Sequence, residues 1–502
     1  MTTFLRAAIE LPLATDRGGP LPLTEQISAQ LRGALADGRL AAGERLPSTR
    51  ALAELLGVSR TVVTAAYTQL FAEGWLEGRH GSGTYVAAGA PGTPGTPSGA
   101  PRAASGAARG PGRPPAGPAT AAAPGAGPAA PAGPPRVNLR PGIPWVAGID
   151  QAAWRRAWRR AAAQPVSSWP DPLGVAALRD QIAGYLRRGR GLRCPPDQVL
   201  VTRGVAAGLA LIASALLRPG DRVGVEEPGY QTARSVFAAH GAQLVPCRVD
   251  ADGLVVDELP ADLRLVYSTP AHQYPLGGRL PVPRRQALAA WARATGALIV
   301  EDDYDGEFRY DVAPLPTLFG LDPEVIIYLG TTSKTLTPAL GAGWLLARAD
   351  LIPVLAEAAT DLGVKVPEPV QHAVAELLAR GDLDRHVRRM RHEYARRRGV
   401  MTAVLSRALA GPPARPGQLT GETAGMHMVC ELPGRVLPDV VAAAAAQGVD
   451  VAGLDKYFAG PPSRHGLVLG YGAADLAAVS RGCRVLAAIL AGLPVRADLI
   501  PG

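Results

Sequence analysis

Residues 89–136 contain only Ala, Pro, Gly, Ser, Thr and Arg, and no folded core can be made from them. Without large apolar side chains the segment cannot offset the entropy lost on ordering its backbone, so it reads as a disordered linker. As a flexible coil it spans roughly 40 Å r.m.s., and its prolines lengthen it. The chain is thereby split into a small module, residues 15–88, and a large one, residues 137–500. Each can move independently, or one can reach across to a partner subunit.

The rest of the composition suits two folded bodies. Of the 502 residues, 47% are hydrophobic and 19% charged, the balance of a soluble globular protein. No uninterrupted apolar run is long enough for a transmembrane helix. The opening MTTFLRAAIELPLATDRGG lacks the charged start and long apolar centre of a secretory signal. Cys194, Cys247, Cys430 and Cys483 are scattered with no C-x-x-C pair, which fits the reduced cytoplasm and neither a disulfide framework nor a metal site. The net charge of +9 permits an anionic partner without demanding one.

In the small module, PLTEQISAQLRGALADGRL sets Leu23, Ile27, Leu31 and Leu35 at helical spacing, with Gly38 as the expected C-cap. Next comes LPSTRALAELLGVSRTVVTAAYTQLFAEGWLEGRHGSGTYV. Ser48 caps a helix running to Leu56, Gly57 turns the chain, and Ser59 caps a second helix to about Glu73, which makes a helix-turn-helix. Ser59, Arg60 and Thr61 open the second helix, where side chains reach phosphates and base edges. WLEGRHGSGTYV reads as two short strands about a glycine tip, a wing carrying Arg79 and His80. The elements LPS-x-R-x-LA, GVSR and GSGTYV, in this order, resemble the winged helix-turn-helix of the GntR superfamily over about residues 21–87. That resemblance implies sequence-specific binding of duplex DNA by a homodimer, with Arg50, Arg60, Thr61 and Gly81 at matching positions. Ser48, Ser59, Tyr67, Arg79 and His80 complete the expected DNA-facing set.

In the large module, apolar runs such as QVLVT, DRVGVEEP, LRLVYSTP, ALIVEDDY and VIIYLGTTSK alternate with helical stretches. Nearly continuous apolar strands between helices predict an α/β fold with a parallel sheet covered on both faces. Polar residues gather just past the strand ends, at 202–204, 226–230, 269–274, 301–304 and 331–334. In such a sheet ligands sit outside the carboxyl ends of the strands, so the five clusters are expected to meet in one pocket.

A single lysine gives that pocket its chemistry. The chain has 52 Lys+Arg, yet only Lys334, Lys365 and Lys456 are lysines. Arginine cannot lose its proton and act as an amine nucleophile, whereas lysine can once its pKa is lowered. Pyridoxal phosphate (PLP) requires such a lysine for a Schiff base, and Lys334 stands at a strand end. The cofactor's pyridine nitrogen requires a carboxylate, from Asp302 or Asp303, and its phenolate a donor, from Tyr304. Tyr230 supplies a flat partner for the ring. Thr331, Ser333 and the amides that follow Gly204, beginning with Val205, suit the phosphate. Each of these signals alone is weak, since paired aspartates and PGY turns are usually just turns.

The ordered series DPLG, VTRG, EEPGY, TPAHQYPLG, VEDDYDGEF and GTTSK resembles the fold-type I aminotransferases. Placed behind a GntR-type reader, it resembles the MocR subfamily of bacterial regulators across the chain apart from the linker. The resemblance assigns Lys334 to the Schiff-base lysine, Asp302 to the pyridine nitrogen, Tyr304 to the phenolate and Tyr230 to ring stacking. It assigns Arg464, in SRHGLVLGY, to an amino-acid carboxylate.

Three departures bear on cofactor affinity. The family's phosphate-clamping arginine, seven residues beyond the lysine, is Gly341 here, and Ala206 and Ala207 replace its usual glutamines. One lost charge-assisted contact costs about 1.5–3 kcal/mol, so either PLP binds weakly or another arginine reaches in. Tyr274-Pro275 stands where aminotransferases commonly have Asn-Pro, as in the regulators. The basic run Arg385–Arg398 offers extra DNA contact or, as the favoured reading, a solvated or subunit-facing helix.

The expected function is a PLP-dependent transcriptional regulator that reads an amino acid, an amine or PLP itself. Two alternatives stand beside it. One is an active aminotransferase that carries a DNA-binding domain. The other is a DNA-binding dimer whose large domain has lost PLP, which Gly341 favours and Lys334, Asp302 and Tyr304 oppose.

Overall fold

The computed structural model describes residues 13–19, 21–36, 39–40, 43–79, 83–87, 136–310, 316–410, 417–421 and 424–493. Residues 89–135 of the linker, Gly38, His80 and Gly81 lie outside these residues. The N-terminal module is built from α1 (Leu23–Ala36), α2 (Thr49–Leu55) and α3 (Arg60–Ala72), followed by the antiparallel pair β1 (Leu76–Arg79) and β2 (Gly83–Val86). Ser48 and Ser59 cap α2 and α3 by accepting the N–H groups of Ala51 and Val62. Gly57 turns the chain between them at φ 63°, a conformation that disfavours side chains with a Cβ. Ile27, Leu31, Leu52, Val63, Leu70, Trp75 and Val86 close a common core. The element pattern of the winged helix-turn-helix is thus present as expected.

The large module begins with β3 (Val137–Asn138), α4 (Gln151–Ala162) and α5 (Ala176–Arg190). Alternation of strands and helices follows: β4 (Val199–Thr202), α6 (Val205–Leu216), β5 (Arg222–Glu227), α7 (Gln231–Ala239), β6 (Gln243–Asp250), β7 (Gly253–Leu254), β8 (Leu265–Ser268), α8 (Val282–Thr295), β9 (Leu298–Asp303), β10 (Ile326–Thr331) and β11 (Gly343–Leu346). The sheet order is β4-β11-β10-β9-β8-β5-β6-β7. Strands β10, β9, β8, β5 and β6 run parallel, as their apolar runs predict. Every residue of β8, β9 and β10 is buried. Alternate side chains feed opposite faces: Val300, Ile327 and Leu329 pack with Leu209, Ile212 and Phe237, while Ile299, Ile326 and Tyr328 join the core on the other side.

The sheet is nevertheless mixed, which corrects the all-parallel expectation. β11 is antiparallel to both β10 and β4. Between β10 and β11 lies only a short loop with a single 3-10 turn, Pro338–Leu340. A parallel return needs a crossover, usually through a helix, so the chain can only double back. That reversal places Lys334 in the turn region at the sheet's carboxyl end.

A second, antiparallel sheet (Gln418–Thr420, His427–Glu431, Gly466–Gly470 and Ala452–Gly453) packs near the long helix Asp382–Ala410. The basic run lies on that helix, and several of its arginines serve as struts. Arg389 donates to the Gly148 carbonyl at 2.6 Å and Arg391 to that of Glu307. Arg397, 1% exposed, reaches the Gly472 carbonyl at 3.2 Å and covers the Trp145 ring. The reader touches the large module at the start of α8, where the Val282 N–H donates to the Glu73 carbonyl at 2.8 Å and Val282 joins the reader's core. No helix among the described residues is long and apolar enough to cross a membrane.

Candidate functional site

The five strand-end clusters open onto one cavity of about 380 Å³. Its lining includes Gly204, Tyr230, Thr269, Tyr274, Asp302, Tyr304, Thr331, Ser333 and Lys334. The parallel strands carry these residues to the same edge of the sheet, so their order in sequence becomes proximity in space.

Consecutive residues of a strand point to opposite faces, and this separates the two aspartates at the end of β9. Asp302 lines the cavity; its Oδ2 accepts the Tyr267 hydroxyl at 2.6 Å, and its Oδ1 is buried without a partner among the described residues. Burial lifts this carboxyl to about 7, against the Tyr267 hydrogen bond. Asp303 faces away, paired with Arg190 and the Tyr328 hydroxyl.

The Lys334 ammonium donates to the Gly142 carbonyl at 2.6 Å. Burial lowers its pKa, partly opposed by Asp305 and Asp302. The amine is therefore easier to deprotonate than a surface lysine.

At another part of the wall, Gly204 starts α6 at φ 94°. Gly208 N–H is bonded to the Gly204 carbonyl, so the amides of Val205, Ala206 and Ala207 belong to the open first turn. Thr331 Oγ1 donates to Ser333 Oγ at 2.9 Å beside it. Donors, hydroxyls and the positive end of the helix dipole give this corner a chemistry that suits an anion. Gly341 sits at φ 53° with open space around it and does not line the cavity. Arg203 does, and among the described residues it is the only arginine that does.

Tyr304 hydrogen-bonds His272 Nδ1 at 3.0 Å, and the same nitrogen lies 3.0 Å from Asp305 Oδ2. Burial holds the Tyr304 phenol protonated, so it remains a donor. His427 bonds the Pro275 carbonyl through Nε2 at 2.9 Å, and burial keeps it neutral by lowering its pKa to about 3. His272, Asp305 and His427 each bring one potential metal-ligand atom within 4.8 Å of the others. Tyr230 meets Tyr274 edge-on at 6.0 Å on the cavity wall.

Two expected site residues lie elsewhere. Arg464 is ion-paired with Glu431 and does not line the cavity. In the register of the second sheet, Gly466 pairs with Glu431 and Gly470 with His427. Four residues of strand span about 13 Å, so Arg464 enters from the end remote from the cavity-side His427. Tyr67 is 2% exposed and donates to the Pro47 carbonyl at 2.9 Å, which makes it a core residue of the reader and not a DNA-facing one. Ser48, Arg50, Ser59, Arg60 and Thr61 are all exposed, and Arg60 bonds Thr49 Oγ1 across the two helices. Arg79 is placed by its backbone opposite Gly83.

Sequence reasoning missed Arg203, Tyr267, Gly142 and His272. Arg203 stood in the quoted VTRG, and only arginine's abundance in this composition hid it. Tyr267 looked like core within an apolar strand.

Comparison with known proteins matches both modules. The family model for aminotransferase class I and II covers residues 146–445, and that for the gntR family of bacterial regulatory proteins covers residues 23–86. The HTH-type pyridoxine biosynthesis transcriptional regulator PdxR of Corynebacterium glutamicum is 38% identical over 88% of this chain and 89% of its own length. A protein named "Probable rhizopine catabolism regulatory protein MocR", from Rhizobium meliloti, is 35% identical over 87% of each. Among solved structures, the α-aminoadipate aminotransferase LysN of Thermus thermophilus, complexed with N-(5'-phosphopyridoxyl)-L-leucine, superposes with a TM-score of 0.64. It is 26% identical, and the match covers 71% of this chain and 92% of LysN. With a GntR-type reader joined to a fold-type I aminotransferase domain over nearly its whole matched length, this chain belongs to the MocR subfamily of GntR-type transcriptional regulators.

Proposed function

We propose that the chain is a PLP-dependent regulator in which paired winged helices hold operator DNA and the large domain senses an amino acid, an amine or PLP itself, in the bacterial cytoplasm. The observation that carries this reading is that Lys334 Nζ and the unpartnered Oδ1 of Asp302 border the same cavity. When bound, PLP supplies an aldehyde able to condense with amines. Lys334, made less basic by burial, is the amine that would hold it. Asp302 Oδ1 suits the pyridine N–H, Tyr304 would donate to the ring oxygen, and Tyr230 would supply a flat partner for the ring. Arg203, Thr331, Ser333 and the Val205 amide suit the phosphate, with Arg203 standing in for the arginine missing at Gly341.

A route from pocket to reader also supports sensing. The loop that lines the cavity at Thr269 and Tyr274 continues to Pro281 and Val282, which touch the reader at Gly74 and Glu73. A ligand that favours one setting of this loop over another shifts how two readers meet DNA, which is the differential binding that regulation requires. The retained lysine, aspartate and tyrosine also favour a second reading, turnover of an amino acid and keto acid pair.

The test is the visible absorption of purified protein with added PLP, wild type beside Lys334→Ala, together with operator binding by the loaded protein. A lysine-dependent band whose perturbation by amines alters DNA affinity supports the regulator. Steady keto acid production without any change in DNA affinity supports the enzyme. No band at saturating PLP overturns both and leaves a DNA-binding dimer on a cofactor-free scaffold.

A further inference from the structure

The arginine expected to grip an effector's carboxylate is occupied by Glu431, and a different pair of cations lines a cleft that adjoins the cavity. A second cleft of about 330 Å³ shares Pro141, Tyr230 and Tyr274 with the first and adds Arg140, Lys456 and Tyr457. We propose that this cleft is the effector's anion subsite, in which Arg140 and Lys456 together take the carboxylates of an acidic α-amino acid. The proposal rests on PLP occupying the neighbouring cavity.

The backbone ties the subsite to the reactive amine. Gly142 accepts from Lys334 Nζ at 2.6 Å, and Arg140 stands two residues before it. Pro141 and Gly142 form a turn, so the Arg140 backbone lies within the ~7 Å that two residues span at most, inside the reach from a reacting amine to the far end of a short amino acid. Gly142 sits at φ 80°, and a Cβ there would lie 3.1 Å from Lys334 Nζ, so this segment passes close by the lysine.

The opposite wall is firmly built. Tyr457 is held by its hydroxyl, 3.0 Å from that of Tyr274, and by its backbone carbonyl, which accepts from Arg234. Lys456 adjoins this anchored residue, with Nζ 4.9 Å from the Tyr457 ring centre. Arg140 lowers the Lys456 pKa, after the larger effect of burial, so the two cations feel one another. Composition points the same way: of the three lysines in the chain, Lys334 and Lys456 border these adjoining clefts. Two like charges meeting at a cleft mouth favour a ligand with more than one negative charge.

The experiment titrates PLP-loaded, full-length protein with L-glutamate, L-alanine and butylamine, following the visible band. Wild type is compared with Arg140→Gln, Lys456→Gln, the double variant and Arg464→Gln, with Lys365→Gln as a control that removes a lysine outside both clefts. We expect glutamate to perturb the band at lower concentration than alanine, and alanine lower than butylamine. The double variant is expected to lose at least tenfold in apparent affinity for glutamate while its response to butylamine is unchanged. Equal response to all three probes in wild type, or loss of selectivity in Arg464→Gln alone, overturns the subsite while the PLP reading stands. Absence of any band in wild type overturns the PLP reading, and the subsite with it.

Discussion

Replacing Asp302 by asparagine should make the cofactor-free protein more stable in mild alkali while removing most of its affinity for PLP. Burial raises this carboxyl from 3.8 to about 7. The folded state therefore holds the proton more tightly than the unfolded chain. The sign follows from linkage: stability is undiminished below the unfolded value, falls as pH rises through the window from 3.8 to about 7, and stays reduced above it. At about 1.4 kcal/mol per pKa unit, the ionised carboxylate weighs against the fold by about 4 kcal/mol at most. Of this, about 3 kcal/mol develops between pH 5 and pH 8. The buried Glu301 and Glu307 are also lifted to about 7, but they remain in the variant, so the difference between the proteins isolates Asp302. The amide of the Asp302→Asn variant keeps an oxygen for the Tyr267 hydroxyl and carries no charge. Thermal unfolding of cofactor-free wild type and Asp302→Asn at pH 5 and pH 8 measures the effect. The variant's midpoint should lie above wild type at pH 8 by more than at pH 5. Added PLP should raise the wild-type midpoint and leave that of the variant almost unmoved. A gap that does not change with pH would refute the reasoning, as would a variant less stable than wild type at pH 8.

Two further substitutions test assignments that came from the structure. Arg203→Gln removes the only arginine that lines the cavity among the described residues, so PLP affinity should fall about ten- to a hundredfold, the value of a charge-assisted contact; titration of the visible band measures it. Tyr67→Phe leaves the Pro47 carbonyl without its donor and should cost the reader about 1 kcal/mol of stability, while operator affinity measured below the unfolding transition stays at the wild-type value.

Local chemistry was legible in the sequence because it depends on near neighbours. Ser48 and Ser59 cap the helices they precede, Gly57 turns between them, and the apolar runs at 298–303 and 326–331 become fully buried strands. The convergence of the strand-end clusters on one cavity was legible too, since parallel strands bring their carboxyl ends to a common edge. The direction of β11 was not read, because Gly343–Leu346 is too short to announce itself and its direction is set by the length of the loop before it.

What the sequence by itself determined is the division into a GntR-type reader and an aminotransferase-like domain, and the order along the chain of the polar groups that line the cavity, Lys334 among them. Only tertiary structure decided which polar groups are free to meet a ligand. Arg464 and Tyr67 carry suitable chemistry but are engaged by Glu431 and the Pro47 carbonyl, while Asp302 and its neighbour Asp303 differ by which face of one strand they leave. Availability depends on partners distant in sequence, and a pattern of residue types along the chain does not record whether such a partner has already claimed the group.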